Sequence, residues 1–274
     1  ITKNYLVIVP EQFTMQTQKK LVELSKNKAI MNIDVLSFQR LAYRVFDELG
    51  IKNVKVLEET GKNLVLRKVA QGIEDKLTVL RPNISRMGYI GEIKSLLSEL
   101  MQYNISPEQL RTYINSGKLS PVLAAKLSDV LVMYEGFNDF MKDKYITAEE
   151  LLNVLKGVAG DSEILRDSVI VFDEFTGFTP VQNELMSELL KICEQIYVTL
   201  TIDSREEGAF YNCAGMHELF YMPKKTIRSL MKRAGALAMI EYKFGRTACP
   251  QCYDRLFFLH NQYIVNPGFV NLCI

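Results

Sequence analysis

The chain has 274 residues, of which 48% are hydrophobic and 24% are charged, a balance typical of a globular protein and not of a disordered one. The formal net charge of +1 neither favours nor excludes a polyanionic partner, because a basic stripe can lie within a neutral total. No apolar run reaches the roughly 20 residues of a membrane span, and no secretory signal opens the sequence, so we expect no membrane association. The odd number of cysteines, five, favours a reducing cytoplasm over a disulfide framework.

The first fifty residues predict alternating strands and helices. Residues 5–9 form a short apolar run typical of a buried strand, and a helix is predicted over residues 11–25. A second strand, Ile33–Leu36, leads into Ser37, a favourable N-cap. The next helix ends at Gly50, and apolar residues recur along it at helical spacing: Phe38, Leu41, Ala42, Val45, Phe46 and Leu49. Strands that alternate with helices in this way predict an α/β fold with a parallel sheet.

The middle of the chain, from about residue 57 to residue 165, predicts helices only. Three helix starts are recognisable at Ser106, Ser120 and Thr147, where N-capping residues are followed by proline or by a capping-box partner. The strand–helix alternation then returns at Ser168. We therefore predict a discontinuous α/β domain over residues 1–57 and 166–244. An all-helical domain is inserted at residues 58–165, and residues 245–274 form an unplaced tail.

The last third of the chain continues the α/β pattern. Helices are predicted over residues 180–193 and 223–234, the second of them basic, and strands over residues 196–202 and 238–242. The sequence begins at Ile1 and ends at Ile274 in apolar stretches. We expect the chain to be a fragment of a longer protein.

The most informative stretch runs from Ser168 to Gln182. Residues 168–172 are apolar and β-branched, which is typical of a strand buried on both faces of a parallel sheet. Asp173 and Glu174 follow this strand, at the edge where open α/β sheets bind ligands. Nucleoside triphosphatases use such a pair to hold Mg²⁺ and to polarise the attacking water. The alternative is a solvated turn at the end of a strand.

ATP hydrolysis also requires a glycine-rich phosphate loop with its lysine, and no G-x-x-x-x-G-K-[ST] motif occurs in the sequence. We therefore assign no catalytic residue and expect no ATP hydrolysis by this chain alone. Cys249 and Cys252 form a lone C-x-x-C motif. A zinc site needs two further ligands, so we treat them as ordinary thiols and assign no metal.

Three stretches together resemble one protein family. They are residues 9–14 (VPEQFT), 35–45 (VLSFQRLAYRV) and 172–182 (FDEFTGFTPVQ). The combination resembles the first motor domain of superfamily 1 DNA helicases. It is most similar to the N-terminal region of the AddB component of AddAB-type bacterial ATP-dependent helicase–nucleases, over about residues 1–244. The resemblance implies a RecA-like, P-loop NTPase-like parallel sheet, interrupted by the helical insertion.

The family's function follows from the same resemblance. Its two-subunit helicase and exonuclease processes DNA double-strand breaks for recombinational repair, and AddB recognises a hotspot sequence as single-stranded DNA with a degenerate motor domain. The resemblance implies a cytoplasmic protein that forms a heterodimer with the A subunit, AddA. It implies an iron–sulfur cluster only in a C-terminal nuclease domain outside this chain, so no such cluster is expected here.

For nucleotide, the resemblance implies ATP and Mg²⁺ in the full-length protein, with Asp173, Glu174 and Gln182 as the residues of this chain that would contact them. The phosphate loop of the family precedes the region that matches residues 5–9. The strand that ends at Asp203 lacks the Gly-Asp-x-x-Gln signature of an active helicase, which argues against efficient turnover.

For DNA, basic and aromatic side chains are expected together, because phosphates need cations and bases stack on rings. Arg40 and Tyr43 lie on the polar face of the predicted helix, and the matching motif of related helicases lies on the strand-binding face. The other predicted contacts follow the predicted strands: Gln12, Thr14, Phe38, Phe175 and Phe178. The alternatives are a buried core position for Phe38, and ion pairs of Arg40 and Arg44 with Asp47 or Glu48.

Three hypotheses remain at this point. The first is single-stranded DNA recognition by a degenerate motor domain in DNA-end processing. The second is an ATP-driven superfamily 1 helicase motor whose phosphate loop lies upstream of this chain. The third is a structural scaffold for the partner subunit. The basic helix over residues 223–234 is a further candidate for phosphate contact, with a solvated surface as its alternative.

Overall fold

The computed structural model describes residues 3–52, 54–84, 86–142, 144–202, 215–234, 238–245 and 255–261. Its strands are β1 Tyr5–Ile8, β2 Ile33–Leu36, β3 Val169–Phe172, β4 Gln195–Thr201, β5 Ala238–Gly245 and β6 Arg255–Asn261. Its helices are α1 Thr14–Leu24, α2 Phe38–Glu48, α3 Glu59–Ile73, α4 Met87–Gln102, α5 Pro107–Ile114, α6 Pro121–Met141, α7 Ala148–Val158, α8 Pro180–Ile192 and α9 Tyr221–Ala234.

The strands form one sheet in the order β2-β1-β3-β4-β6-β5. The first four strands are parallel, and β6 and β5 extend them as an antiparallel pair. Ile8 pairs with Leu36 on one side and with Phe172 on the other, and Phe172 pairs with Val198, so the parallel strands end in register. The predicted α/β class with a RecA-like parallel sheet is confirmed.

The chain forms two compact units. The first comprises residues 1–51, 154–178 and 182–274, and the second comprises residues 52–153 and 179–181. The sheet belongs to the first unit, and α3 to α6 belong to the second. The domain boundaries that we drew from the sequence stay a prediction.

Helix α2 follows the predicted amphipathic pattern. Its apolar stripe is buried, whereas Gln39, Arg40, Tyr43 and Arg44 are exposed. The Ser37 hydroxyl accepts a hydrogen bond from the backbone N–H of Arg40 at 3.3 Å, as an N-cap does. Gly50 follows the helix with φ +70°, a left-handed conformation that glycine adopts at low cost.

The helical unit has a hydrophobic core of its own. It is built by residues of α3, α4, α5 and α6 together with the α3–α4 connection. Gly136 permits close packing of α6 on α3, since a Cβ there would lie 2.7 Å from Val69 Cγ1. Asp129 of α6, only 2% exposed, fixes the α3–α4 connection by accepting hydrogen bonds from the backbone N–H groups of Thr78, Val79 and Leu80.

Capping explains where several of these helices begin. Ser106 and Gln109 form a capping box at α5, and Thr147 and Glu150 exchange the equivalent hydrogen bonds at α7. The only pairing outside the named strands in the described part of the chain is a parallel bridge between Val56 and Ile146. This bridge holds the two ends of the helical unit together.

Hydrogen bonds also join the segment before β3 to the first half of the chain. The carboxylate of Glu48 at the end of α2 accepts hydrogen bonds from the hydroxyl of Ser162 and from the backbone N–H of Ile164, the latter at 2.9 Å. Strand β1 then pairs with β3, and Tyr5 lies opposite Val169. The sheet is therefore completed by residues far apart in sequence.

The structure differs from the sequence predictions in a few places. Residues 11–13 form a 3-10 turn and α1 begins only at Thr14, where the sequence predicted one helix from residue 11. Strand β6 lies in the tail that the sequence left unplaced. Cys249, Cys252 and Asp203 lie outside the described residues. Among the described helices, none is both long and apolar enough to span a membrane.

Candidate functional site

The carboxyl ends of the parallel strands meet at one edge of the sheet. From β1 the chain moves to β2 on one side, and from β3 it moves to β4 on the other. Such a reversal of direction between neighbouring parallel strands creates the crevice in which open α/β sheets bind ligands. The connection after β1 contains Gln12 and leads to Thr14, and the connection after β3 contains Phe175 and Phe178. The topology therefore places these predicted site residues at one edge.

Four phenylalanine rings cluster at this edge. Phe38 stacks on Phe172 with ring centroids 5.6 Å apart, and Phe175 lies edge-on to Phe38 at 5.5 Å. Phe178 lies 5.1 Å from Phe175 and 5.7 Å from Phe172. Phe38 is 8% exposed and Phe172 is fully buried, whereas Phe175 and Phe178 are half-buried. Only the last two rings present surface to a ligand, and Phe38 takes the core position that was its alternative.

The Asp173–Glu174 pair follows the buried end of β3. The backbone N–H of Asp173 donates to the Ile8 carbonyl at 2.9 Å, and its carboxylate accepts a hydrogen bond from the Thr199 hydroxyl of β4. Glu174 has φ +63°, a left-handed conformation that costs a non-glycine residue free energy and that is enriched at functional sites. Gln182 is half-buried in the first turn of α8.

These residues fit a nucleotide-bound Mg²⁺ only in part. Mg²⁺ in phosphoryl-transfer sites takes one or two carboxylates plus phosphate oxygens, and Asp173 and Glu174 supply that kind of ligand. No group of three His, Cys, Asp or Glu side chains that could hold a metal ion occurs among the residues that the structure describes. The described residues also lack a glycine-rich phosphate loop, so they do not form a complete nucleotide site.

The polar face of α2 places an exposed arginine, Arg40, at this edge of the sheet. Arg40 Nε donates to Glu11 Oε1 at 3.1 Å, and both side chains are 57% exposed. Tyr43, one turn further along α2, is 37% exposed. Gln12 is exposed, whereas Thr14 is buried and its hydroxyl donates to the Glu11 carbonyl at 3.0 Å. Gln12, Arg40 and Tyr43 can therefore meet a ligand directly, and Thr14 fixes the turn beside them.

Arg40 and Arg44 form ion pairs, but not with Asp47 or Glu48 as the alternative prediction had it. Arg40 pairs with Glu11, and Arg44 Nη2 pairs with Asp34 Oδ2 of β2 at 2.9 Å. Glu48 instead binds Ser162 and Ile164. Exposed pairs of this kind contribute about 0–1 kcal/mol, so a competing anion can displace them.

The basic helix α9 divides into two sets of residues. Lys224 is buried and its ammonium lies 3.2 Å from a Glu218 carboxylate oxygen, and Arg233 donates to the Ser187 hydroxyl of α8 at 3.3 Å. Lys225 and Lys232 are exposed. Part of the basic run therefore fixes α9 within its unit, which the sequence did not indicate.

Comparison with known proteins decides the family. A family model described as "ADDB, N-terminal" matches residues 1–251. The chain belongs to this family. The resemblance drawn from three short motifs is confirmed at that level.

Several AddB relatives share the sequence over most of this chain. A Lachnoclostridium phytofermentans protein, named as the B subunit of an ATP-dependent helicase/deoxyribonuclease, is 42% identical over 83% of this chain and 20% of its own length. Proteins of the same name from Clostridium tetani and Clostridium kluyveri are 31% and 30% identical, over 75% and 92% of this chain. The matches cover 18% and 22% of those two relatives, so the chain spans about a fifth of their length.

Three residues at the edge were missed by the sequence argument. Thr199 holds the Asp173 carboxylate, Glu11 holds Arg40, and Thr226 of α9 contacts the loop after β3. Glu11 is adjacent in sequence to the predicted site residue Gln12, so its negative charge could have indicated a partner for Arg40. Thr199 and Thr226 meet their partners only through tertiary packing, and no local pattern in the sequence marks them.

Proposed function

We propose that this AddB-family region recognises single-stranded DNA with a degenerate motor domain, within a helicase and exonuclease that processes DNA double-strand breaks for recombinational repair. The observation that carries the proposal is the edge of the parallel sheet. There Gln12, Arg40 and Tyr43 are exposed, and Phe175 and Phe178 are half-buried. The relatives are named as part of an ATP-dependent helicase/deoxyribonuclease, which supports DNA as the substrate class.

The side chains of this edge match the chemistry of a single strand. The Arg40 guanidinium would exchange its Glu11 partner for a phosphate, because an exposed ion pair is weak and a bidentate phosphate contact is stronger. Tyr43, Phe175 and Phe178 offer ring surface on which bases would stack, each base contributing about 1–3 kcal/mol. Gln12 supplies a donor and an acceptor beside them.

The relatives' names describe one component of a multi-subunit enzyme, which supports a heterodimer with the A subunit, AddA. We propose that the full-length protein forms this heterodimer and acts in the cytoplasm. The iron–sulfur cluster and the nuclease domain that the resemblance implies belong to the same proposal for the full-length protein. Scaffolding of AddA is a rival role, and it predicts no DNA affinity for this chain.

A second candidate is an ATP-driven helicase motor. It is favoured by the position of Asp173 and Glu174 at the point where the sheet reverses direction, with Gln182 in the following helix. Isothermal titration of the full-length protein with Mg²⁺-ATP tests it. Saturable binding that Asp173→Asn abolishes would favour the motor over recognition alone.

Fluorescence anisotropy with a labelled oligonucleotide tests DNA recognition. Arg40→Ala should weaken binding and reduce the salt slope by about 0.7, the value of one single-strand phosphate contact. Tyr43→Ala should weaken binding and leave the salt slope unchanged, because stacking releases no counterion. Arg81→Ala, which removes an exposed, ion-paired arginine from the helical unit, is the matched control. Equal effects of Arg40→Ala and Arg81→Ala would reject the proposed edge.

A further inference from the structure

The loop between β3 and α8 carries the two half-buried rings, and side chains hold its backbone at two points. The Thr226 hydroxyl of α9 donates to the Thr176 carbonyl at 3.2 Å. The Asn183 side-chain amide of α8 donates to the Phe178 carbonyl at 3.0 Å. The three residues from Thr176 to Phe178 are thus held at both ends. Phe175 directly precedes this segment and Phe178 is its last residue.

The small size of Gly177 favours the close contact between α9 and this loop. A Cβ on Gly177 would lie 3.2 Å from Thr226 Oγ1 and 3.4 Å from Met222 Cε. The first distance is tighter than ordinary van der Waals contact, so a larger residue would require the Thr226 side chain or the loop to shift by a few tenths of an ångström. Thr226 is 6% exposed, which places the hydrogen bond in the packed contact and not on the solvent surface.

Helix α9 is fixed independently of this hydrogen bond. Ile227 and Leu230 are fully buried, and Lys224 and Arg233 pair with Glu218 and Ser187. Removal of the Thr226 hydroxyl should therefore free the loop while α9 stays in place. A short loop that loses one of two such contacts gains conformations, and its rings then spend less time in any one arrangement.

We propose that Thr226 is a positioning residue for single-stranded DNA: its hydroxyl holds Thr176, and through it Phe175 and Phe178, in the arrangement on which bases stack. The inference rests on the proposed DNA recognition and assigns α9 a part in it. Thr226 acts through the rings and contacts no DNA. A preorganised loop binds single-stranded DNA more tightly, because the free energy of binding is not reduced by the cost of ordering the loop.

The test compares Thr226→Val, which removes the hydroxyl at nearly constant shape, with Thr226→Ser, which keeps it. Thr226→Val should weaken oligonucleotide binding about 2- to 10-fold, the range set by one hydrogen bond, with an unchanged salt slope. Thr226→Ser should restore binding. Thr112→Val is the matched control, because the Thr112 hydroxyl also donates to a backbone carbonyl, that of Glu108, in the helical unit. Thermal unfolding of each variant verifies that it is folded.

A double-mutant cycle identifies the route of the effect. If Thr226 acts through the two rings, Thr226→Val should have little further effect in a background that carries both Phe175→Ala and Phe178→Ala. Fully additive losses would overturn the inference, and so would wild-type affinity of Thr226→Val beside weakened binding of Phe175→Ala.

A measurement without DNA separates this inference from the proposed function. The sequence contains no tryptophan, so Phe175→Trp gives a single tryptophan on the loop, which can be excited selectively over the tyrosines. Adding Thr226→Val should shift its emission, and Thr226→Ser should not. An unchanged emission overturns the positioning role whatever the DNA result. A shift that serine reverses supports the positioning of the loop, and absence of DNA binding by every variant would then refute the proposed function alone.

Discussion

Replacing Glu11 by glutamine should strengthen single-stranded DNA binding. Glu11 Oε1 accepts a hydrogen bond from Arg40 Nε at 3.1 Å, so it occupies the guanidinium that a phosphate would contact. Glutamine keeps the length of the side chain and removes its charge. The substitution leaves the Glu11 backbone carbonyl, to which the Thr14 hydroxyl donates, in place.

The size of the effect follows from the exposure of the pair. Both side chains are 57% exposed, and an ion pair in such a position contributes about 0.2–1 kcal/mol. In Glu11→Gln the free energy of the ion pair no longer has to be given up when Arg40 contacts a phosphate. The affinity for single-stranded DNA should therefore rise about 1.4- to 5-fold. The gain should shrink at high salt, where the charges are screened.

The assay is an anisotropy titration at two salt concentrations, with Asp75→Asn as the control. Asp75 lies 3.1 Å from Arg81 in the helical unit, so its replacement removes the same charge and frees a comparable arginine. Equal gains from the two variants would mean that net charge alone is responsible. A loss of affinity in Glu11→Gln would refute the assignment of Arg40 to a phosphate.

Three further predictions concern stability. Asp129→Ala should lower the free energy of unfolding by about 3–5 kcal/mol, because it leaves the backbone N–H groups of Val79 and Leu80, the second of them buried, without an acceptor; urea unfolding by circular dichroism measures it. Phe38→Ala should cost about 3–5 kcal/mol in the same assay, and a loss below about 1 kcal/mol would contradict the core position of this ring. Burial raises the pKa of the Cys193 thiol and that of the Tyr134 hydroxyl each to about 12, from 9.0 and 10.0. Their contribution to stability is present below about pH 9 and is lost as the pH rises towards 12. Urea unfolding at about pH 8 and about pH 10.5 should show this loss, and Cys193→Ala should reduce it.

Local patterns predicted the parts of the fold that depend on local physics. The period of the apolar residues in α2 predicted which side chains it buries, and Tyr43 and Arg44 are exposed as expected. The run before Asp173 predicted β3, and the alternation of strands and helices predicted the parallel sheet. The capping residues Ser106 and Ser120 predicted two helix starts. In each case the signal lies within a few residues of the structure that it predicts.

Contacts between distant segments were not predictable in this way. Arg40 has Asp47 and Glu48 on its own helix, yet it pairs with Glu11, 29 positions earlier. The partner of an exposed arginine depends on how the β1–α1 connection lies beside α2, which no helical periodicity encodes. Strand β6 is different, because the apolar residues 256–259 were a usable strand signal in the tail. The antiparallel partner that gives the strand its place in the sheet is β4, and Thr201 of β4 lies opposite Arg255, 54 positions later.

The pairing of β1 with β3 has a consequence for synthesis on the ribosome. Tyr5 lies opposite Val169, so β1 is translated 164 positions before its central neighbour. At about 5–20 residues per second, this apolar strand waits for about 8–33 s with one edge unpaired. The Val56–Ile146 bridge closes the intervening helical unit on itself, and a folded insertion brings the two strands near each other at a smaller entropic cost than a free loop of the same length. A folded insertion therefore lets the nascent sheet form faster than an unfolded insertion of the same length would. In a variant whose insertion is unfolded, the nascent chain should depend on chaperones for longer.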